Sequence, residues 1–218
     1  MSVKRYEQLL QLPVFQGITP ESVQSLIEKI PFHFIKRGVG EEVVGIGKRC
    51  SHLIFLISGR VEHRFAFEHY DLTFVQTLNS PAVLGIDTLF GPDTHYHFSA
   101  AAIEPCGLLQ VPKADFITML QKEKVILFNT LNMLSSPKQR FISTLETTRE
   151  TRVEQRLHTL LKVLSLPTSS NRQMVGKMSH LSQILSTNAA SLSQAIDQLV
   201  ASGQIEIISP TQIHYLNS

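Results

Sequence analysis

The stretch Leu181 to Gly203, LSQILSTNAASLSQAIDQLVASG, decides how the C-terminal part of the chain folds. Leu181, Ile184 and Leu185 make one short apolar face at helical spacing, and Ser186, Thr187 and Asn188 make a turn. Leu192, Ala195, Ile196 and Leu199 then make a second face before Gly203 stops the helix. Asn188 is a good N-cap, because its side-chain oxygen can accept from a first-turn amide that has no partner within the helix. Beyond the glycine, Gln204 to Ile208 and Gln212 to Leu216 flank Ser209-Pro210-Thr211 and alternate enough to form a hairpin. Helix, tight turn, helix and hairpin predict a winged helix-turn-helix, an arrangement that docks on DNA.

Upstream, Val153, Leu157, Leu160, Leu161 and Leu164 share one face of an amphipathic helix that ends before the loop Pro167 to Asn171. From Lys113, Leu120, Leu127, Leu134 and Phe141 recur every seven residues, with Leu131 four beyond Leu127. Such a seam needs a partner, and a second copy of the helix is the reading we adopt over an intramolecular packing stripe. Pro137 removes a backbone donor inside this run, which predicts a kink or restart near Ser135 and Ser136. Closer to the N-terminus, Pro20 to Ile30 reads as a short helix with Val23, Leu26, Ile27 and Ile30 at helical spacing. After Pro31 come short apolar or β-branched runs: Phe32 to Ile35, Glu42 to Ile46, Leu53 to Ile57, Leu72 to Leu78, Tyr96 to Ala102 and Leu108 to Val111. Many short strands punctuated by Gly, Pro, Ser and Asp predict a β-sandwich or roll.

Composition narrows the classes of function. With 43% hydrophobic and 17% charged residues and a net charge of +2, the chain falls among ordinary globular proteins, away from disordered or strongly basic ones. Residues 1–112 carry a net charge of −2 and residues 113–218 a net charge of +4, the sign expected if the second half meets a polyanion. Cys50 and Cys106 lie far apart in sequence, so neither a thiolate-rich zinc site nor an all-cysteine iron-sulfur cluster can be built from them, and a reducing cytoplasm fits best. The apolar run Leu53 to Ile57 is too short to cross a bilayer, which argues against membrane insertion. The chain shows no Walker loop, GxSxG elbow or HExxH motif, so an enzyme is not expected.

Taken in order, these segments resemble the Crp/Fnr superfamily of bacterial regulators. Gly47 and, twelve residues later, Gly59 in HLIFLISGRV are similar to the family's glycine-framed strand pair. VLGIDTLFGP from Val83 resembles its phosphate-binding cassette, and HFSAAAIEPCGLLQVPKADF resembles the cassette's second half and the approach to the dimer helix. QRLHTLLKVL and LSQILSTNAASLSQAIDQLVASGQI are similar to the connecting helix and the recognition unit. The resemblance implies an α+β chain in three parts. These are a jelly-roll-like double-stranded β-helix sensor domain over residues 1–112, a dimerisation helix over 113–148 and a winged helix-turn-helix over 149–218. It also implies a cytoplasmic homodimer on a near-palindromic DNA operator, with RNA polymerase as a further partner and a small-molecule effector.

The chain departs from that family at the effector site, which maps to Gly85, Ile86, Phe98, Ser99, Ala100, Phe141 and Ile142. Cyclic-AMP binders of the family place a glutamate after the cassette glycine and an arginine before Ser-Ala; here Ile86 and Phe98 stand there. A buried phosphate without a charge-assisted donor costs several kcal/mol, so cyclic nucleotides are not the expected effector, whose identity stays open. His95 and His97 lie two apart on a strand face with His52, His63 and His69 nearby. Histidines so placed are more often solvated or hydrogen-bonded than ligands, so no metal site is expected, although haem stays an alternative.

At the DNA end the resemblance assigns sequence readout to Ala189, Ala190 and Gln194. Of these, Gln194 can pair with adenine N6 and N7, and an alanine can pack on a thymine methyl. Ser191, Asn188, Ser179 and Lys177 complete the expected contact set, with Arg172 a second cation nearby. From Lys177 onward there is only one basic residue against Asp197 and Glu206, so this unit must lean on helix N-terminal amides and hydroxyls to grip phosphates. The alternative is an effector-sensing module whose degenerate DNA-binding domain meets a protein partner.

Overall fold

The computed structural model describes residues 8–147, 152–166 and 168–216. Its contacts divide the chain into two compact units, Met1–Val61 with Leu78–Ser136 and Glu62–Thr77 with Pro137–Ser218.

In the first unit the helix α1 (Pro20–Lys29) starts where the sequence says it should, with Thr19 Oγ1 accepting from the Ser22 amide at 3.3 Å. Strands β1 (His33–Arg37), β8 (Cys106–Pro112), β3 (His52–Ser58) and β6 (Ala82–Leu84) form an antiparallel sheet in that order. The middle strand β3 pairs on both sides, Phe55 facing Leu109 on one flank and Val83 on the other. That explains why its run Leu53 to Leu56 is buried without alternation. The second layer of the sandwich holds β2 (Glu42–Val44) paired with β7 (Phe98–Ala102). Gly59, at the turn out of β3, has φ +87°, and a Cβ there would stand 2.6 Å from the Pro105 carbonyl, so only glycine fits.

Two helices follow, α2 (Lys113–Lys122) and α3 (Lys124–Thr147), broken at Glu123, whose φ of −120° and ψ of 100° are extended. This corrects the expected restart at Ser135 and Ser136, since the chain stays helical through Pro137. The turn before the proline keeps its bonding through Ser136 Oγ, which donates to the Asn132 carbonyl at 2.7 Å. The break falls instead at a residue with no breaker signature: the Glu123 amide closes α2 on the Met119 carbonyl, and its own carbonyl accepts from Leu127 to begin α3.

The second unit contains α4 (Val153–Leu164), β9 (Ser169–Gly176), α5 (Met178–Ile184), α6 (Ala189–Ala201) and the hairpin β10 (Ile205–Ser209) and β11 (Gln212–Tyr215). Most of β4 (Arg60–Phe67) and of β5 (Leu72–Asn79) also belongs here. Strands β10, β11, β9 and β5 are neighbours in one sheet. Leu72 and Phe74 of β5 are buried in the same core as Leu157, Leu161, Leu192 and Ile213. A polar clamp fixes this junction: buried Gln76 donates to the Leu164 carbonyl at 3.1 Å and accepts from the Leu166 amide at 2.9 Å. The expected loop Pro167 to Asn171 is in part strand, because β9 begins at Ser169 and is held by long-range pairing to β11. Its loop character survives locally in the positive φ of Thr168 and Asn171. Among the described residues no helix is long and apolar enough to cross a membrane.

Candidate ligand pocket and nucleic-acid interface

The cassette begins where β6 ends. Gly85 has φ +77°, and its carbonyl accepts from the amides of Thr88 (3.2 Å) and Leu89 (2.9 Å), turning the chain in a single tight coil. Ile86 follows Gly85 and is buried, and on β7 Phe98 and Ala100 are buried while Ser99, on the opposite face, is half-buried. The side chains of Phe141 and Ile142 lie outside the described residues.

Tyr96 is the residue that sequence reading missed. Its ring is buried against the turn: a Cβ at Gly85 would stand 2.8 Å from Tyr96 Cε1, 3.2 Å from its hydroxyl and 3.3 Å from Cys50 Sγ. Phe98 meets the Tyr96 ring edge-on at 5.4 Å between centroids. The Tyr96 hydroxyl and the Cys50 sulfur thus border the same side of the turn, and the Cys50 thiol lies 3.6 Å from the Gly85 carbonyl. Burial pushes both the phenol and the thiol well above their ordinary values, with the Asp87 carboxylate adding to it, so both groups are neutral at physiological pH. The side chains packed against this turn, Tyr96, Cys50 and Phe98, are uncharged, and the exposed Asp87 carboxylate adds negative charge beside them. A signal for Tyr96 was present in the alternation of His95, Tyr96 and His97, since two exposed histidines on one face put the residue between them on the other.

Those histidines have partners. His95 Nδ1 lies 2.9 Å from Asp93 Oδ1 and His97 Nε2 lies 3.2 Å from Asp93 Oδ2, all three side chains being exposed. The His95 amide and ring hold the Asp93 carboxyl below its ordinary value. His52 Nδ1 is bonded to Ser51 Oγ at 2.8 Å, His69 is exposed, and His63 is buried within β4. Among the described residues no group of three or more His, Cys, Asp or Glu is placed to hold a metal ion.

In the second unit, α5 and α6 are separated by a short turn in which Ser186 takes the left-handed conformation, φ +49°, that glycine adopts more easily. Asn188 Oδ1 accepts from the Ser191 amide at 2.8 Å, so this residue is the N-cap of α6 and its oxygen is committed to that role. The inner face of α6 is Leu192, Ala195, Ile196 and Leu199, and the outer face exposes Ala189, Ala190, Ser193, Gln194 and Asp197, with Ser191 half-buried. Lys177 and Ser179 are exposed at the start of α5. Arg172 is occupied elsewhere: its Nε donates to Ser169 Oγ at 2.9 Å and its Nη2 to the Ser169 carbonyl at 2.7 Å. Ala189, Ala190 and Gln194 are thus exposed on α6, and Lys177 is an exposed cation at the start of α5.

Comparison with known proteins agrees with this geometry in part. Residues 37–123 match the family model of the cyclic nucleotide-binding domain. The sensor domain of the transcriptional regulator DNR from Pseudomonas aeruginosa superposes with a TM-score of 0.50 at 19% identity, covering 60% of this chain and 91% of that one. The Thermus thermophilus catabolite activator protein superposes with a TM-score of 0.50 at 18% identity, covering 93% of each chain. Among curated proteins, none matches the chain. At these identities the likeness establishes the fold.

Proposed function

We propose that this chain is a sequence-specific DNA-binding transcriptional regulator of the Crp/Fnr type, acting as a homodimer and governed by an effector other than a cyclic nucleotide. The observation that carries the reading is the capped helix α6, which offers Ala189, Ala190 and Gln194 to solvent after a tight turn and before a hairpin, the geometry of a winged helix-turn-helix. Supporting it, the fold runs parallel to a catabolite activator protein over nearly the whole chain. Lys177, Ser179 and the α6 amides grip phosphates while Gln194 reads a base. The dimer forms along α3, where Leu127, Leu131 and Leu134 lie on one stripe and Leu131 and Phe128 are exposed, 47% and 63%. Leu120 lies on the separate helix α2, so the break at Glu123 interrupts the seven-residue register between it and Leu127; the Phe141 side chain lies outside the described residues.

One observation favours a second reading, a module that binds a protein through its C-terminal unit. The outer face of α6 carries no cation, and Ile207 and Ile208 of β10 are half exposed, at 51% and 49%. Selection from random double-stranded DNA followed by a mobility-shift assay separates the two: the proposed function requires an enriched motif, and the protein-binding reading requires none.

A further inference from the structure

We propose that Tyr96 is a resident occupant of the sensor pocket, and that an effector entering there must displace its ring and resemble it: an uncharged single-ring aromatic with one hydroxyl. The inference deepens the effector-governed reading above and rests on the cassette being the sensor's ligand site.

Three observations converge on the ring. It lies against the Gly85 turn, where a Cβ would stand 2.8 Å from Tyr96 Cε1, so the ring occupies the space that a side chain at position 85 would need. Its hydroxyl and the Cys50 sulfur stand 3.2 and 3.3 Å from the Gly85 Cβ position and its flank is covered by Phe98, so ring and polar tip meet different neighbours, as those of a bound phenol would. Its backbone is fastened at both polar groups, the Tyr96 amide donating to the Lys48 carbonyl at 2.9 Å and its carbonyl accepting from the Gly47 amide at 2.8 Å. The ring can therefore leave only by side-chain rotation or by opening of the segment that follows Pro92. Within this segment, exposed Asp93 holds both His95 and His97, a second tie on the stretch that carries Tyr96.

An anion does not substitute for the ring. Cys50, Phe98, Ile86 and the Gly85 carbonyl are what it would meet; none is a cation, and a buried carbonyl oxygen repels negative charge. A neutral phenol reproduces every contact the Tyr96 side chain makes. Because the tethered ring competes with it, the apparent affinity of the wild-type protein for such a ligand is reduced by the fraction of time the ring is in place.

Wild-type protein, Tyr96→Phe and Tyr96→Ala are compared for binding of phenol and of cyclic AMP, by calorimetry and by melting temperature. Tyr96→Ala is expected to take up phenol at least ten times more tightly than the wild type. Its melting temperature should rise on the order of 4 °C at ten times the dissociation constant. Tyr96→Phe keeps the ring and is expected to behave as the wild type, and cyclic AMP is expected to shift none of the three. Should Tyr96→Ala fold only when phenol is present, the proposal is upheld by that rescue. Equal phenol affinity in wild type and Tyr96→Ala, failure of phenol to refold an unfolded Tyr96→Ala, or saturable cyclic-AMP binding to the wild type would each overturn it. The DNA reading stands apart from these outcomes, because operator selection with wild-type protein succeeds or fails regardless of what fills the pocket.

Discussion

In the DNA complex we propose, Gln194 and Lys177 are the two side chains on which readout and grip divide. Gln194 is exposed on the second turn of α6 and can form paired hydrogen bonds to an adenine edge, whereas Lys177, exposed before α5, can only hold a phosphate. Replacing Gln194 by alanine should cost about 1 to 3 kcal/mol on the best operator and relax preference at one base pair per half-site, leaving nonspecific binding nearly untouched. Lys177→Ala should weaken all sequences alike and reduce the salt slope by about one counterion per contact. Titration of both variants by mobility shift over a range of salt concentrations distinguishes these patterns. Arg172, a cation equally visible in the sequence, drops out because Ser169 engages it, a contact set by the left-handed turns around Thr168 and Asn171 that no local pattern announces.

A second residue, His63, bears on pH. Burial drives its imidazole from the ordinary value of 6.5 down to about 4, so the folded chain disfavours the charged form. Above pH 6.5 the group is neutral in both states and costs nothing. As the pH falls from 6.5 to 4 the unfolded chain takes up a proton that the folded chain refuses, and stability drops by on the order of 3 kcal/mol before levelling off below 4. Urea titrations at pH 7 and pH 4.5 should show the wild type losing more stability than His63→Gln over that interval; equal losses would remove His63 from the acid response.

Among the elements, α6 is the most legible and the β4–β5 hairpin the least. The apolar spacing of Leu192, Ala195, Ile196 and Leu199 and the capping residue Asn188 fix α6 locally, and the structure has it from Ala189 to Ala201. Asn188→Ala removes the acceptor of the Ser191 amide and should destabilise the protein by about 1 kcal/mol, measured by chemical denaturation, with Asn188→Asp largely retaining the cap. The hairpin, by contrast, reads in sequence as a strand of the first domain. It belongs to the second unit because Leu72 and Phe74 complete the C-terminal core and Gln76 ties the backbone after α4, contacts between residues about 90 positions apart. The partners of Gln76, both backbone groups, carry no sequence signature. For the same reason β9 hides behind Pro167: strand pairing to β11 supplies what the local sequence does not. The helix break at Glu123 rather than at Pro137 shows the converse, that a strong local breaker can be absorbed while an ordinary residue turns the chain.

At the scale of the molecule, Phe128 and Leu131 on α3 are exposed, and the homodimer we propose would cover them with a second copy of this helix. Light scattering should give a mass twice that of the 24.5 kDa chain, and Leu131→Glu with Phe128→Glu should return it to one chain. A two-fold axis in turn demands an operator of two inverted half-sites about 10 base pairs apart, centre to centre. The Tyr96 ring lies against the Gly85 turn, and on the proposal above an effector other than a cyclic nucleotide must displace it. The measurement that bears most directly on the whole account is selection of binding sites from random double-stranded DNA by the wild-type protein, performed with and without cyclic AMP. A near-palindromic motif enriched equally in both conditions is the predicted result. No enriched motif, or one that emerges only when cyclic AMP is present, would contradict it.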